Sequence, residues 1–139
     1  MRQIQPHSLW IGHAGDVRRP ADVHAAGILA LVDLALTERP LSLARETVYF
    51  RLPLVDGAGN PPWLLRAAVD TVASLVRSGV PTLVFCGAGM SRSPRKAAAA
   101  LAAVTGETLD ASLAAVVRDG PRDVSPALWA DVVRALTPA

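Results

Sequence analysis

The sequence is poor in the residues that hold metals and disulfides. It contains one cysteine, Cys86, among 139 residues, so no disulfide can form within the chain and a reducing compartment is expected. The three histidines, His7, His13 and His24, have no cysteine or glutamate at metal-ligand spacing. We therefore expect these histidines to lie at the surface or at strand ends, and we expect neither a metal nor a cofactor.

Long apolar runs and an excess of charge are also missing. The longest apolar stretch, residues 28–36, is interrupted by Asp33 and is far shorter than the ~20 residues of a membrane span. The first residues contain no apolar core of signal-peptide length. These observations predict a cytoplasmic protein without membrane contact. A net charge of +2 suits an anionic substrate but is too small to indicate nucleic acid as a partner.

What the sequence does contain predicts one globular α/β domain over residues 1–139. Half of the residues are hydrophobic, 51%, which is enough to bury a core at this length. Strands are predicted at residues 8–13, 28–36, 47–55 and 82–86. Helices are predicted at residues 21–26, 63–78, 94–104, 109–118 and 126–136, with a turn at 15–20 and a loop at 37–44. Strands that alternate with helices favour a mostly parallel sheet flanked by helices, with a ligand site at the carboxyl ends of the strands.

The most informative stretch is residues 82–94, in which a short apolar strand meets the start of a helix at Pro94. The connecting turn is rich in glycine and small side chains; its residues are Gly87, Ala88, Gly89, Met90 and Ser91. In such a turn the backbone N–H groups converge, and the helix N-terminus adds positive potential. The stretch therefore predicts an anion-binding loop that is opened by Cys86 and closed by Arg92.

Cys86 and Arg92 are each open to two interpretations. A lone cysteine is most often a small buried apolar residue, but converging amides and a nearby guanidinium favour a reactive thiolate. Arg92 is either a surface residue or a phosphate ligand, and its planar fork can bind two phosphate oxygens. A cation at a helix start opposes the helix dipole, so the position favours a bound anion. We expect Cys86 to be a nucleophile and Arg92 to hold a phosphoryl group.

The spacing Cys-x-x-Gly-x-x-Arg-Ser at residues 86–93 resembles the signature of the cysteine-dependent phosphatases, most closely the dual-specificity phosphatases. The resemblance implies a protein phosphatase that works through a cysteinyl-phosphate intermediate without a metal. It implies that Ser93, which also suits a helix cap, assists the thiolate as a leaving group. The substrates that the resemblance implies are phosphorylated proteins or other phosphomonoesters, such as phosphoinositides, nucleotides or RNA 5′-phosphates.

The family also uses an aspartate as general acid, and Asp56 resembles it. Asp56 follows a predicted strand in a Gly-rich loop, 30 residues before Cys86 in the sequence. The alternative is a simple turn residue, because Asp-Gly is a common turn dipeptide. Asp119 and Asp123, which flank another loop, are the reserve candidates.

Weaker matches extend the resemblance over nearly the whole chain, with two departures. Residues 4–12 resemble the family's opening strand, residues 27–34 its central strand, and residues 114–122 with 129–136 its closing helices. The central strand carries Asp33 where the family commonly has Asn, and we expect this carboxyl group to be buried and hydrogen-bonded, bracing the phosphate loop. Phe85 replaces the usual His, so a hydrogen bond that holds the loop is missing.

Two other functions remain open. A rhodanese-like sulfurtransferase also uses a cysteine that opens an anion-binding loop, but it has no need of Asp56. A weakly active phosphate-binding module is the second alternative, and Phe85 suggests it.

Overall fold

The computed structural model describes residues 1–36, 43, 46–55, 57–87, 95, 99, 102, 105–117 and 126–136. The strands are β1 (Arg2–Gln3), β2 (Leu9–His13), β3 (Ala30–Asp33), β4 (Val48–Arg51) and β5 (Thr82–Cys86). The helices are α1 (Ala14–Val17), α2 (Pro20–Ala25), α3 (Pro62–Arg77), α4 (Leu109–Val117) and α5 (Pro126–Leu136).

The strands form one mixed sheet in the order β1-β2-β5-β3-β4. Strands β2, β5, β3 and β4 are parallel, and only β1 pairs antiparallel, with β2. Strand β5 lies at the centre, and all five of its residues are buried. The predicted fold class, a mostly parallel sheet flanked by helices, is confirmed.

Side chains alternate across β5, and so divide the core into two clusters on opposite faces of the sheet. On the first face, Val84 and Cys86 pack with residues of α3, α4 and α5. On the second face, Leu83 and Phe85 pack with Val17 of α1 and with residues of α2 and β3. We call these the three-helix face and the two-helix face.

Helix α3 matches its prediction because its local signals agree with its packing. Its buried residues recur at helical spacing: Leu65, Ala68, Val69, Val72 and Ala73. The helix ends at Arg77, and two positions later Gly79 has a φ of 68°, in the region that glycine adopts without strain. The Gly79 N–H bonds the Val76 carbonyl and the Val80 N–H bonds the Leu75 carbonyl, which is the Schellman arrangement.

The predicted turn at residues 15–20 is wrong at its start, where the chain forms α1. Two reciprocal bonds cap this helix: the Gly15 N–H donates to the His13 ring, and the His13 N–H donates to Asp16. The sequence pattern Ser/Thr-x-x-Glu is the usual sign of such a capping box. Because His13 and Asp16 depart from that pattern, the signal is easily missed.

Strands β3 and β4 are shorter than predicted, whereas β5 has the predicted bounds. Residues 28–36 contribute only β3, because the Ala35 N–H donates to the Asp33 carboxylate at 2.9 Å rather than to a neighbouring strand. Residues 47–55 contribute only β4. The predicted helix at 94–104 lies largely outside the described residues, although Arg95, Ala99 and Ala102 have helical backbone. Within the described ranges, no helix has the length and apolarity that crossing a bilayer requires.

Candidate active site

Parallel strands bring their carboxyl ends to one edge of the sheet, and Cys86 lies on that edge. It is the last residue of β5 and stands opposite His13 of β2 in the register. Its side chain is 1% exposed and belongs to the core of the three-helix face. Gly87 follows and is partly buried. The thiol thus begins the connection that leaves the central strand, as the sequence predicts.

Most of the predicted site falls outside the described residues. These positions are Ala88, Gly89, Met90, Ser91, Arg92, Ser93 and the general-acid candidate Asp56, together with the reserve candidates Asp119 and Asp123. Their roles in phosphate binding and proton transfer stay predictions. Cys86 and Gly87 are the described members of the predicted set.

Phe85, the residue before Cys86 in β5, does not reach the thiol because its side chain lies on the other face of the sheet. Phe85 is 1% exposed and packs on the two-helix face with Val17, Leu31 and Leu83. Neighbouring residues of a strand point to opposite faces. A side chain at position 85 is therefore surrounded by apolar groups across the sheet from the Cys86 sulfur.

Asp33 is buried and hydrogen-bonded, as predicted. It is 1% exposed, and it lies opposite Phe85 in the register of β3 and β5. Its Oδ1 accepts the Ala35 N–H at 2.9 Å, and its Oδ2 accepts a short hydrogen bond from the Tyr49 hydroxyl. Both oxygens are thereby satisfied, as a buried carboxyl group requires. These contacts fix the chain where it leaves β3, next to the strand that carries Cys86.

The residues around Asp56 are described although Asp56 is not. Leu54, which precedes the loop, is fully buried and its N–H donates to the Leu34 carbonyl at 3.2 Å. Val55 and Gly57 flank position 56, and the side chain of Asn60 binds the backbone of both. Asp131 of α5 accepts the Gly59 N–H at 3.1 Å. Neither Asn60 nor Asp131 is among the site residues predicted from the sequence.

The sequence contains a local signal for Asn60 but none for Asp131. Asn60 precedes two prolines at the start of α3, and asparagine is typical of turns in which its side chain binds nearby backbone. Asp131 lies 72 positions from Gly59, and no local pattern announces so distant a contact.

A buried arginine is a further unpredicted feature near the site. Arg95 is completely buried, three positions after Arg92, and its backbone is helical. A charged residue in the first turns of a helix is ordinarily exposed to solvent, and the burial of Arg95 departs from that expectation.

The three histidines lie at the end of a strand or are at least partly exposed, as predicted. His13 caps α1 with its ring nitrogen, and His7 and His24 lie in or near short surface elements. Among the described residues, no three side chains of His, Cys, Asp or Glu come together as metal ligands would.

Comparison with known proteins finds the same architecture in solved phosphatase structures. Human DUSP28 superposes with a TM-score of 0.83 at 23% identity, covering 97% of this chain and 94% of that one. Tk-PTP in its active form has a TM-score of 0.79 at 24% identity, covering 96% and 93%. A human tyrosine phosphatase-like serine/threonine/tyrosine-interacting protein has a TM-score of 0.79 at 18% identity, covering 96% and 93%. No protein-family model and no curated protein matches the sequence.

The class defined by these comparisons is that of the cysteine phosphatase fold. Within that class the chain has the fold of the small dual-specificity phosphatases, over almost its full length. The resemblance first drawn from the spacing at residues 86–93 is confirmed at the level of the fold.

Proposed function

We propose that this chain is a phosphatase of the dual-specificity type that hydrolyses phosphomonoesters through a cysteinyl-phosphate intermediate. The observation that carries the proposal is the position of Cys86. It ends the central strand of a sheet with the dual-specificity phosphatase fold, and it begins the spacing Cys-x-x-Gly-x-x-Arg-Ser. In parallel α/β sheets, ligands bind outside the carboxyl ends of the strands.

The first chemical step is attack of the Cys86 thiolate on phosphorus. The sulfur–phosphorus bond forms as the ester oxygen–phosphorus bond breaks, and Asp56 donates its proton to the departing alkoxide or phenoxide. Backbone N–H groups of residues 87–92 and the Arg92 guanidinium stabilise the charge on the other three phosphoryl oxygens. The product alcohol leaves, and the phosphoryl group stays on sulfur.

The second step returns the enzyme to its starting state. The Asp56 carboxylate takes a proton from a water molecule, which attacks phosphorus, and the sulfur–phosphorus bond breaks. Inorganic phosphate and the thiolate are released, the latter assisted by the Ser93 hydroxyl. Asp56 is again protonated, so protons and charge balance over the cycle without a metal or cofactor.

The test is hydrolysis of an aryl phosphate in the presence of a chelator. We expect turnover by the wild type, none by Cys86→Ser, and a loss of about 10²- to 10⁴-fold in Asp56→Asn. Asp70→Asn, which changes an exposed aspartate of α3, is the matched control and should keep full activity. Acid quenching during turnover should trap one phosphoryl group on Cys86, detected by mass spectrometry. Equal negligible rates for wild type and Cys86→Ser would refute the proposal.

The substrate class within phosphomonoesters needs a separate measurement. The sequence offers few aromatic residues for deep pocket walls, so we propose a shallow site that accepts phosphoserine and phosphothreonine as well as phosphotyrosine. A panel of phosphopeptides should give a broad profile. Strict dependence on phosphotyrosine would contradict the dual specificity while leaving the phosphatase chemistry intact.

A phosphate-binding module without turnover is the second candidate, and the burial of Phe85 favours it. No imidazole stands before the cysteine, and the Phe85 ring in its place packs with the apolar side chains of the two-helix face. One structure of the same fold is described as phosphatase-like. Tungstate or phosphopeptide binding without hydrolysis by the wild type would support this candidate. A thiosulfate-to-cyanide transfer assay in parallel tests the sulfurtransferase alternative.

A further inference from the structure

The largely buried side chain of Asn60 makes hydrogen bonds to the loop that follows β4. Asn60 is 7% exposed, and its Oδ1 accepts the Val55 N–H at 2.8 Å. Its Nδ2 donates to the Val55 carbonyl at 2.8 Å and to the Gly57 carbonyl at 3.3 Å. Both backbone polar groups of Val55 are thus bound by one amide. Position 56 lies between two residues that Asn60 holds.

The same loop is also hydrogen-bonded to a side chain of helix α5. The Gly59 N–H donates to Asp131 Oδ2 at 3.1 Å, and Asp131 Oδ1 accepts a short hydrogen bond from Arg134. Gly59 has a φ of 96°, which side-chain-bearing residues rarely adopt. The loop therefore has a backbone shape that depends on glycine and a fixed point on a helix.

Helix α5 is itself firmly attached to the rest of the fold. Val132 and Ala135 are buried against residues of α3 in the core of the three-helix face. The Arg66 guanidinium of α3 donates to the Ala135 carbonyl at 2.6 Å, where a cation also suits the C-terminal end of the helix. Asp131 consequently links the loop to a packed helix rather than to a mobile surface segment.

We propose that Asn60 and Asp131 are positioning residues for the Asp56 carboxyl group; this inference rests on the proposed function. A general acid must lie within hydrogen-bond reach of the leaving oxygen, and an error of about 1 Å can cost about 10²-fold in rate. Ordering a free loop costs about 1–2 kcal/mol per residue. Asn60 and Asp131 hold the described residues around position 56 before substrate binds, which lowers the cost of placing the acid.

The amide of Asn60 suits this role better than a carboxylate does. It presents one acceptor to an N–H group and two donor hydrogens to carbonyl oxygens. In Asn60→Asp an oxygen replaces the donor nitrogen and faces the carbonyls of Val55 and Gly57. The side chain keeps its size, while two of its three hydrogen bonds become repulsive contacts.

The experiment compares two aryl phosphates that differ in the pKa of their leaving phenol. Protonation of the departing oxygen by a general acid raises the rate strongly when the phenol has a high pKa and only slightly when it has a low one. For Asn60→Asp we expect kcat/KM, which reports only the first chemical step, to fall about 10- to 100-fold with the poor leaving group, and less than about 3-fold with the good one. Asp131→Ala should show the same selectivity at about 3- to 10-fold. The matched controls are Gln5→Ala and Asp70→Ala, at exposed sites away from the loop, which should change neither rate.

The outcomes separate this inference from the proposed function. Equal losses on both substrates, or no loss on either, would overturn the positioning role while Cys86-dependent turnover still stood. An inactive wild type would remove the proposed function, and the positioning role with it. Thermal melting identifies a variant that fails to fold. If Asn60→Asp does so, Asp131→Ala alone decides, because it changes a contact at the surface of the loop.

Discussion

On one face of the sheet, the side chains of Leu9, Val84 and Cys86 pack beneath three long helices. On the other face, Leu31 and Phe85 are covered by two helices of four and six residues. The thinner cover leaves an apolar cleft of about 390 Å³, lined by Val17, Val23, Ile28 and Leu31 among others. The two faces therefore differ in the length of the helices that cover them, and the shorter helices leave the cleft beside Leu31.

The largest expected effect compares one leucine from each face. Leu9 on β2 and Leu31 on β3 both have 0% exposure, but only Leu31 lines the cleft. Replacing Leu9 by Ala leaves a closed cavity, so we expect the free energy of unfolding to fall by about 3–5 kcal/mol. Replacing Leu31 by Ala enlarges a space that is already open, and we expect a loss of about 2–3 kcal/mol.

Chemical denaturation of both variants, with the slopes checked for two-state behaviour, measures the difference. Equal losses would show that the cleft gives the second face no extra tolerance. A larger loss for Leu31→Ala would reverse the comparison between the faces.

The next effect concerns the residue before the cysteine. Phe85→His places an imidazole in the core of the two-helix face, where the neighbouring Asp33 carboxyl group already accepts two hydrogen bonds, and burying a further polar ring there is unfavourable. We expect the free energy of unfolding to fall by about 2–3 kcal/mol. Phe85→Leu keeps an apolar side chain and should lose less than about 1.5 kcal/mol.

Denaturation of the two Phe85 variants is again the measurement. If Phe85→His is as stable as Phe85→Leu, then the imidazole has found a hydrogen-bond partner, for which Asp33 and Tyr49 on the same face are the candidates.

The elements that sequence alone could predict are those whose local and tertiary signals agree. Helix α3 was predicted within a residue of its bounds, because its apolar spacing and Gly79 both mark its limits. The central strand β5 was predicted because a buried parallel strand reads as a continuous apolar run. The position of Cys86 at the end of that strand followed directly.

Contacts between distant segments could not be predicted in this way. The bond from Gly59 to Asp131 depends on where α5 packs against α3, which no local pattern encodes. The two-residue strand β1 forms only because β2 offers it a free edge, and its sequence, Arg-Gln, has no strand preference. Asp33 was predicted to be buried and bonded, but its partner Tyr49 lies 16 positions away and emerges only from the pairing of β3 with β4.

A smaller effect on the free energy of unfolding is expected from the polar pair on the two-helix face. Tyr49→Phe removes the hydroxyl that donates to Asp33 Oδ2 and leaves a buried carboxyl oxygen without that donor. We expect a loss of about 1–2 kcal/mol. In Asp33→Asn the amide oxygen can still accept the Ala35 N–H, and its nitrogen can donate to the Tyr49 oxygen. This variant should therefore lose less than Tyr49→Phe in the same denaturation experiment, and the opposite order would show that the charge of Asp33 matters more than its bonds.

The smallest effect belongs to the cap of α1, the helix that covers part of the two-helix face. Burial raises the pKa of Asp16, but the hydrogen bond from the His13 N–H and the nearby Met1 amino group outweigh it and hold the pKa below its ordinary value. A lowered carboxyl pKa stabilises the fold above the pKa of the unfolded chain, and this contribution is lost as the pH falls through the folded value.

Asp16→Asn tests that charge with little change in shape, because the amide oxygen can still accept the His13 N–H. At pH 7 we expect the variant to be less stable by up to about 1 kcal/mol, since the pair is partly exposed and screened. The gap between wild type and variant should close as the pH falls below about 4 and should shrink in 1 M salt. A gap that is independent of pH would instead show that the charge of Asp16 does not supply the stabilisation. The thin face would then depend on the geometry of its cap and not on charge.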